Sequence, residues 1–193
     1  MPYIAGPVVP AGTLSTVPQP VLRTGDGLVL RPWRTEDAPA VHAAFQDPVL
    51  NRWHIRTADS VEEVVGWIEA WQKGWESERD AQWAVADADT DGVVGRVALR
   101  GIQLEEGVAE VAYWTTRAAR GRGVAVRATT ALTRWAVDEI GLHRLELMHS
   151  TANEASCRVA IKAGFALEGT KRSAAIHQDG WHDMHLHARV RGD

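Results

Sequence analysis

The chain has 193 residues and a formal net charge of −4, with a sequence pI near 6.1; this excludes a protein built to grip nucleic acid by its phosphates, which takes a basic surface. No run approaches the ~18 consecutive apolar residues of a membrane span, so no membrane partner is expected. The length suits one substantial core, and the single cysteine, Cys157, has no partner for an internal disulfide and indicates a reducing, cytoplasmic setting.

The opening "MPYIAGPVVPAGTLSTVPQP" is punctuated by prolines and has neither the basic start nor the unbroken apolar run of a signal peptide. It reads as an extended arm, residues 1–20, ahead of a single domain, residues 21–193. "VLRTGDGLVLRPW" reads as two short strands around the turn Thr24-Gly25-Asp26-Gly27. A helix over "TEDAPAVHAAF" follows, with Thr35 as its cap. In "SVEEVVGWIEAWQKGWESE", Trp67, Trp71 and Trp75 are four residues apart and share a helical face, a core stripe or the wall of a cleft.

From Gln82 the period becomes strand-like: "QWAVADA", "VVGRVALRGI" and "VAEVAYWTT", separated by turns at "DTDG" and "LEEG", predict an antiparallel meander. Val124, Ala128, Ala131, Leu132, Trp135, Ala136 and Ile140 then recur at helical spacing until Gly141 stops the pattern. "HRLELMHS" alternates Leu145, Leu147 and His149 against polar neighbours. "NEASCRVAIKAGF" is a helix capped by Asn153 and ended by Gly164, with Cys157 as a small buried hydrophobe. "GWHDMHLHARV" is a half-buried strand. The order is mixed α/β, with a strand–loop–helix–strand crossover in the second half.

Asp183, His185 and His187 project from one face of that last strand. Successive members stand about 6.6 Å apart, too far to converge on one ion without help from elsewhere, so no metal site is expected.

The segment "ARGRGVAV" carries more chemistry. Gly121 and Gly123 let the chain turn with its amides outward where a helix begins and its dipole is positive, and Arg120 and Arg122 add charge, a combination that suits a phosphate. A mononucleotide loop needs Gly-Lys before Ser or Thr, whereas Val124 and Ala125 follow Gly123. A dinucleotide fold needs a third glycine at position 126, which is Val.

What does fit is Arg120-Gly121-Arg122-Gly123-Val124-Ala125, which resembles the Arg/Gln-x-x-Gly-x-Gly/Ala pyrophosphate loop of the GNAT acyl-CoA N-acyltransferases. "LRPWRTEDA" looks like that family's opening strand and helix cap, "EVAYW" its fourth strand, "GLHRLEL" its fifth, and "NEASCRVAIKAGFALEG" its Asn-x-x-Ser helix with the Gly-Phe that follows. Their order is similar to the RimJ/RimL-like branch, which acetylates ribosomal-protein N-termini. The resemblance implies a mixed, mostly antiparallel sheet flanked by helices on both faces, whose fourth and fifth strands splay apart to admit acetyl-CoA. Backbone groups of Trp114 and Thr115 would pair with the pantetheine arm, and the amides from Gly121 to Ala125 would hold the pyrophosphate.

For the chemistry the resemblance implies Glu110 as general base, Ser156 as the hydroxyl beside the departing thiolate, Asn153 as a cofactor contact, and Trp53 and His54 at the acceptor site. Glu110 reads equally well as a strand glutamate paired with an arginine, and Glu146 is a second candidate base. Where relatives carry a fifth-strand glutamate this chain has Met148, and where many carry a tyrosine it has Ala160. The expected activity is acetyl transfer from acetyl-CoA to the amine of a protein N-terminus or of a small molecule. A non-catalytic acyl-CoA sensor and a succinyl or other acyl transferase are the alternatives. Nine tryptophans leave room for an exposed patch and a homodimer.

Overall fold

The computed structural model describes residues 6–193, so the first five residues of the expected arm lie outside the described residues. Eight strands form one sheet in the order β1-β2-β3-β4-β5-β6-β8-β7. They are β1 (Leu22–Arg23), β2 (Leu28–Pro32), β3 (Ala81–Asp87), β4 (Val93–Gln103), β5 (Val108–Thr115), β6 (Arg144–Ser150), β7 (Ala166–His177) and β8 (Gly180–Val190). The expected meander is β3, β4 and β5, paired antiparallel throughout. β7 is a twelve-residue strand that the sequence pattern did not announce. Its residues are almost all exposed, so no alternation of apolar side chains marks it.

Apolar side chains alternate between the two faces of the central strands and feed two clusters. On one face Trp83, Val97, Leu99, Leu145 and Leu147 pack with α4 (Val124–Arg134) and α5 (Glu154–Lys162). On the other, Ala84 and Trp114 pack with α1 (Ala38–Phe45) and α3 (Val61–Glu76), burying Trp33, Val41, Phe45 and Ile68. Of the expected tryptophan stripe only Trp75 is buried; Trp67 and Trp71 rest half-buried against the second cluster. The short α2 (Pro48–Asn51) follows α1 and is capped by Asp47, whose carboxylate accepts the Val49 N–H at 2.9 Å.

Two local expectations change. Thr35 does not cap α1: Thr35–Asp37 form a 3-10 turn. Asp37 takes the Arg34 N–H at 2.9 Å and both terminal nitrogens of Arg31 at 2.8 Å, a bidentate pair almost closed to water. The helix expected to run to Ile140 is regular only through Arg134, and Trp135–Ile140 widen into a π turn before Gly141 ends it at φ +87°. Cys157 is half-buried on α5 rather than a core residue.

The arm folds onto its own domain. Val8 and Val9 donate to the Glu105 and Leu104 carbonyls, residues 11–16 make turns, and Val9 and Leu14 are buried. The Glu78 carboxylate collects three backbone N–H groups, from Gly12 (2.7 Å), Leu14 (2.6 Å) and Ser15 (3.0 Å). Indole N–H groups of Trp75 and Trp83 donate to the Val17 and Pro20 carbonyls at 3.0 and 2.8 Å.

Candidate active site

The strands resembling the family's fourth and fifth are β5 and β6, the parallel neighbours in the middle of the sheet. They pair only where Val108–Glu110 lie beside Arg144–Glu146. Beyond that point β5 stays with β4 as far as Thr115 and β6 stays with β8 as far as Ser150, so the two part company. The gap is a cleft of about 790 Å³, lined along β5 by Glu110 through Thr115 and along β6 by Leu147 through Ser150. Unpaired backbone on both walls can accept an extended polar chain as a further strand would. The Trp114 ring is not part of that offer: it is buried against Trp33 and Phe45, and its indole N–H has no partner among the described residues.

One end of the cleft is the glycine loop. Gly121 and Gly123 both take φ +73°, a left-handed conformation that a side chain disfavours, and Gly123 caps α4. Gly121, Gly123, Val124 and Ala125 line the cleft. The two arginines divide. Arg120 lines the cleft but is paired with Asp47 at 2.7 Å. Arg122 is exposed and outside the lining, and its carbonyl accepts from Arg127 at 3.2 Å. The anion-attracting element is therefore mainly the row of amides and the helix end.

Where β5 and β6 begin to part, Glu110 faces Arg100 of β4 and Glu146 of β6 across the ladder. Burial pushes its carboxyl up from the ordinary value; the Glu146 charge adds to this, while Arg100 and Lys171 oppose it. Glu146 is held differently: Arg144 bonds it at 2.8 Å while also pairing with Glu168. Asn153 caps α5, its Oδ1 accepting the Ser156 N–H at 3.1 Å, and both residues line the cleft. Tyr113, which sequence reasoning passed over, also lines it and donates its hydroxyl to the Ser156 carbonyl at 3.3 Å. Burial pushes the Tyr113 hydroxyl up to about 12, so it keeps its proton. Ala160 is buried on the inner face of α5 and offers no functional group.

The far end is aromatic and histidine-rich. Trp53 and His54 line it, with His54 against Phe45 and its imidazole lowered to about 4 by burial and the nearby Arg96. The Trp53 ring meets His177 and His182 edge-on. Ser150, at the cleft wall, sits 2.7 Å from His182 Nδ1, and His182 Nε2 lies 2.8 Å from Asp179. The carboxylate accepts from Nε2, so in the neutral ring the serine hydroxyl donates to Nδ1, and a hydrogen-bonded chain runs from the cleft to the surface. Nothing in the sequence flagged it, because its members come from β6, the β7–β8 turn and the start of β8.

Residues 27–166 match the Acetyltransferase (GNAT) domain family. The chain belongs to the GNAT acetyltransferases. It is similar to the uncharacterized N-acetyltransferase YoaA of Bacillus subtilis strain 168, 25% identical over 173 residues, 89% of this chain and 97% of that protein. It is also similar to the ribosomal-protein-serine acetyltransferase of Escherichia coli K12, 29% identical over 100 residues, 52% of this chain and 56% of that one. The fold matches RimL, a ribosomal L7/L12 alpha-N-protein acetyltransferase solved with coenzyme A, with a TM-score of 0.81 and 20% identity over 89% of this chain and 98% of that one. The microcin C7 self-immunity acetyltransferase MccE, solved with acetyl-CoA and AMP, matches with a TM-score of 0.80 and 19% identity over 91% of this chain and 98% of that one. The acetyltransferase is thus an N-acetyltransferase enzyme with a mixed α/β fold, as its loop and strand motifs indicated. Among the described residues no helix is long and apolar enough to cross a membrane.

Proposed function

We propose that this acetyltransferase moves the acetyl group of acetyl-CoA to the α-amine of a protein N-terminus by direct transfer in a ternary complex. The observation that carries the reading is the single cleft opening between β5 and β6, which the glycine loop, Glu110, Trp53 and His54 all line. The pyrophosphate would rest on the amides of Gly121 to Ala125, with Arg120 beside it and Arg122 at the outer rim, and the pantetheine along the Trp114–Thr115 backbone. Asn153 would set the start of α5 against the cofactor. A cytoplasmic location fits the unpaired cysteine.

Glu110 is the base in this reading. Its raised affinity for protons suits a group that takes one from an incoming ammonium, directly or through water. The freed lone pair attacks the thioester carbonyl, the C–N bond forms and the C–S bond breaks, and the proton the nitrogen then sheds balances the one the thiolate takes from a hydroxyl at the start of α5. Ser156 is the assigned donor there, with the Tyr113 hydroxyl next to it. Glu146 is the poorer base because Arg144 holds it as an ion pair.

The test is thiol release from acetyl-CoA against peptides of different N-terminal residues and a panel of small amines. Release that depends on one peptide terminus supports the reading. Release with small amines alone would reassign the acceptor, and binding of acetyl-CoA without release for any amine would overturn the proposed transfer. Comparing Ser156→Ala with Tyr113→Phe identifies the donor: the slower variant marks the group that protonates the thiolate.

A further inference from the structure

A second constellation lies on the other face of β6. Strand alternation puts Glu110, Glu146, Met148 and Ser150 toward the acceptor side, and Leu145, Leu147 and His149 toward α5. His149 stands opposite His185 of β8, and His187 is two residues further along the same face. Cys157, on α5, comes down over them. One ligand atom from each of the four, His149, Cys157, His185 and His187, can be chosen so that all lie within 4.8 Å of one another. Within β8 alone two histidines do not complete a ligand set; the antiparallel neighbour and the covering helix supply what one strand cannot. Asp183, the third member of the pattern in the sequence, is engaged elsewhere, accepting the Ser173 N–H at 2.8 Å.

The proton inventory of the cluster is the informative part. His149 Nδ1 lies 2.8 Å from the Ser150 carbonyl and His187 Nδ1 lies 3.3 Å from the Phe165 carbonyl. A carbonyl only accepts, so each Nδ1 carries the proton and each neutral ring presents a bare lone pair at Nε2. Those two Nε2 atoms face each other at 3.1 Å, and the rings are 5% and 0% exposed, leaving no room for water to separate them. Two lone pairs at that distance repel unless a cation stands beside both. Nitrogens bound to one tetrahedral zinc at 2.0–2.1 Å are themselves about 3.3 Å apart. A ring whose far N–H is fixed by a backbone carbonyl is also the usual outer partner arrangement of a metal-binding histidine. His185 adds a buried Nδ1 with no partner among the described residues.

We propose that His149, Cys157, His185 and His187 form a closed, tetrahedral structural site for one zinc-class divalent cation, which pins α5 to β6 and β8. Three imidazoles and a thiolate, with no carboxylate or carbonyl ligand, select zinc over magnesium or calcium. Binding releases the Cys157 thiol proton and leaves the imidazoles neutral. A four-ligand set without an open position holds structure rather than activating water. Its place in the fold agrees: Cys157 shares the first turn of α5 with Asn153 and Ser156, so the ion would fix the helix start that borders the cleft.

The test uses the untagged full chain. Metal analysis after purification should find close to one zinc per chain. After zinc removal, titration with Co(II) should give the intense visible bands of a tetrahedral site and a thiolate-to-cobalt charge-transfer band. Cys157→Ser should abolish that charge-transfer band, and both Cys157→Ser and His185→Ala should weaken zinc binding by at least about 100-fold. The half-buried positions 157 and 185 let both variants fold, which circular dichroism checks. A chain that holds no zinc and gives only the weak spectrum of hydrated cobalt would overturn the proposal, leaving a shared proton to separate the two Nε2 atoms. Undiminished zinc affinity in Cys157→Ser would overturn it as well. Each readout is independent of acetyl transfer.

Discussion

Gly123 shows how much a single backbone angle carries in this protein. At φ +73° it caps α4 in the loop that lines the cleft, and the nearest atom a Cβ would meet is Arg127 Nε at 4.0 Å. Space is not the constraint; conformation is. Gly123→Val should therefore fold and lose CoA affinity by about tenfold or more, as measured by calorimetric titration with CoA. Glu110 is the complementary residue, important to charge rather than to shape. Glu110→Gln should bind CoA as the parent does and slow transfer by about 10²–10⁴-fold, removing the limb of the pH–rate profile that rises through a carboxyl raised above its ordinary range. The stability sign runs opposite to activity. A raised carboxyl favours the folded state while protonated and loses that contribution as pH rises through its folded value, with Arg100 and Lys171 attracting the charge and Glu146 repelling it. The Gln variant should thus match the parent at acid pH and melt higher near neutrality.

Among the elements, α1 depends on a polar anchor that the pattern of the sequence misassigned. Thr35 has the right chemistry for a cap, but the buried Arg31 needs a carboxylate, and Asp37 is the residue that satisfies both Arg31 and the Arg34 N–H. Replacing it leaves a cation closed to water, with Asp91 as its remaining counter-charge among the described residues. Asp37→Asn should cost ~3 kcal/mol, about 6–12 °C in Tm, read by thermal denaturation. The meander, α4 and α5 were legible because each follows a clean period between turn residues. β7 was not, since an edge strand lying open to solvent needs no apolar alternation. The π turn at Trp135–Ile140 was equally silent: it keeps the buried face of Trp135 and Ala136 while changing the hydrogen-bond register.

At the scale of the whole molecule, the N-terminal segment is part of the stability rather than an appendage. Glu78 gathers three of its backbone N–H groups, which hold the carboxyl below its ordinary value against the opposing effect of burial. A lowered carboxyl stabilises the fold above its unfolded value and loses that contribution as pH falls below about 4.5. Glu78→Ala should cost about 2 kcal/mol near neutrality, discounted for partial exposure, and almost nothing in acid; melting curves across that range check it. The tryptophans serve the interior as well: of the nine, only Trp181 is exposed, at 65%.

The sequence by itself determined what depends on neighbours along the chain: the glycine loop before a helix, the Asn153 cap, the alternation of the meander, and through these the family. Those features are local because hydrogen bonds and dihedral preferences act over a few residues. The tertiary structure alone decided which charges meet. Asp47 claims Arg120, and Arg144 claims Glu146. The Ser150–His182–Asp179 chain and the His149–Cys157–His185–His187 cluster assemble only because β6 lies against β8 and α5 folds over both. Coulomb forces, proton sharing and coordination act over a few ångströms of space, whatever the separation along the chain.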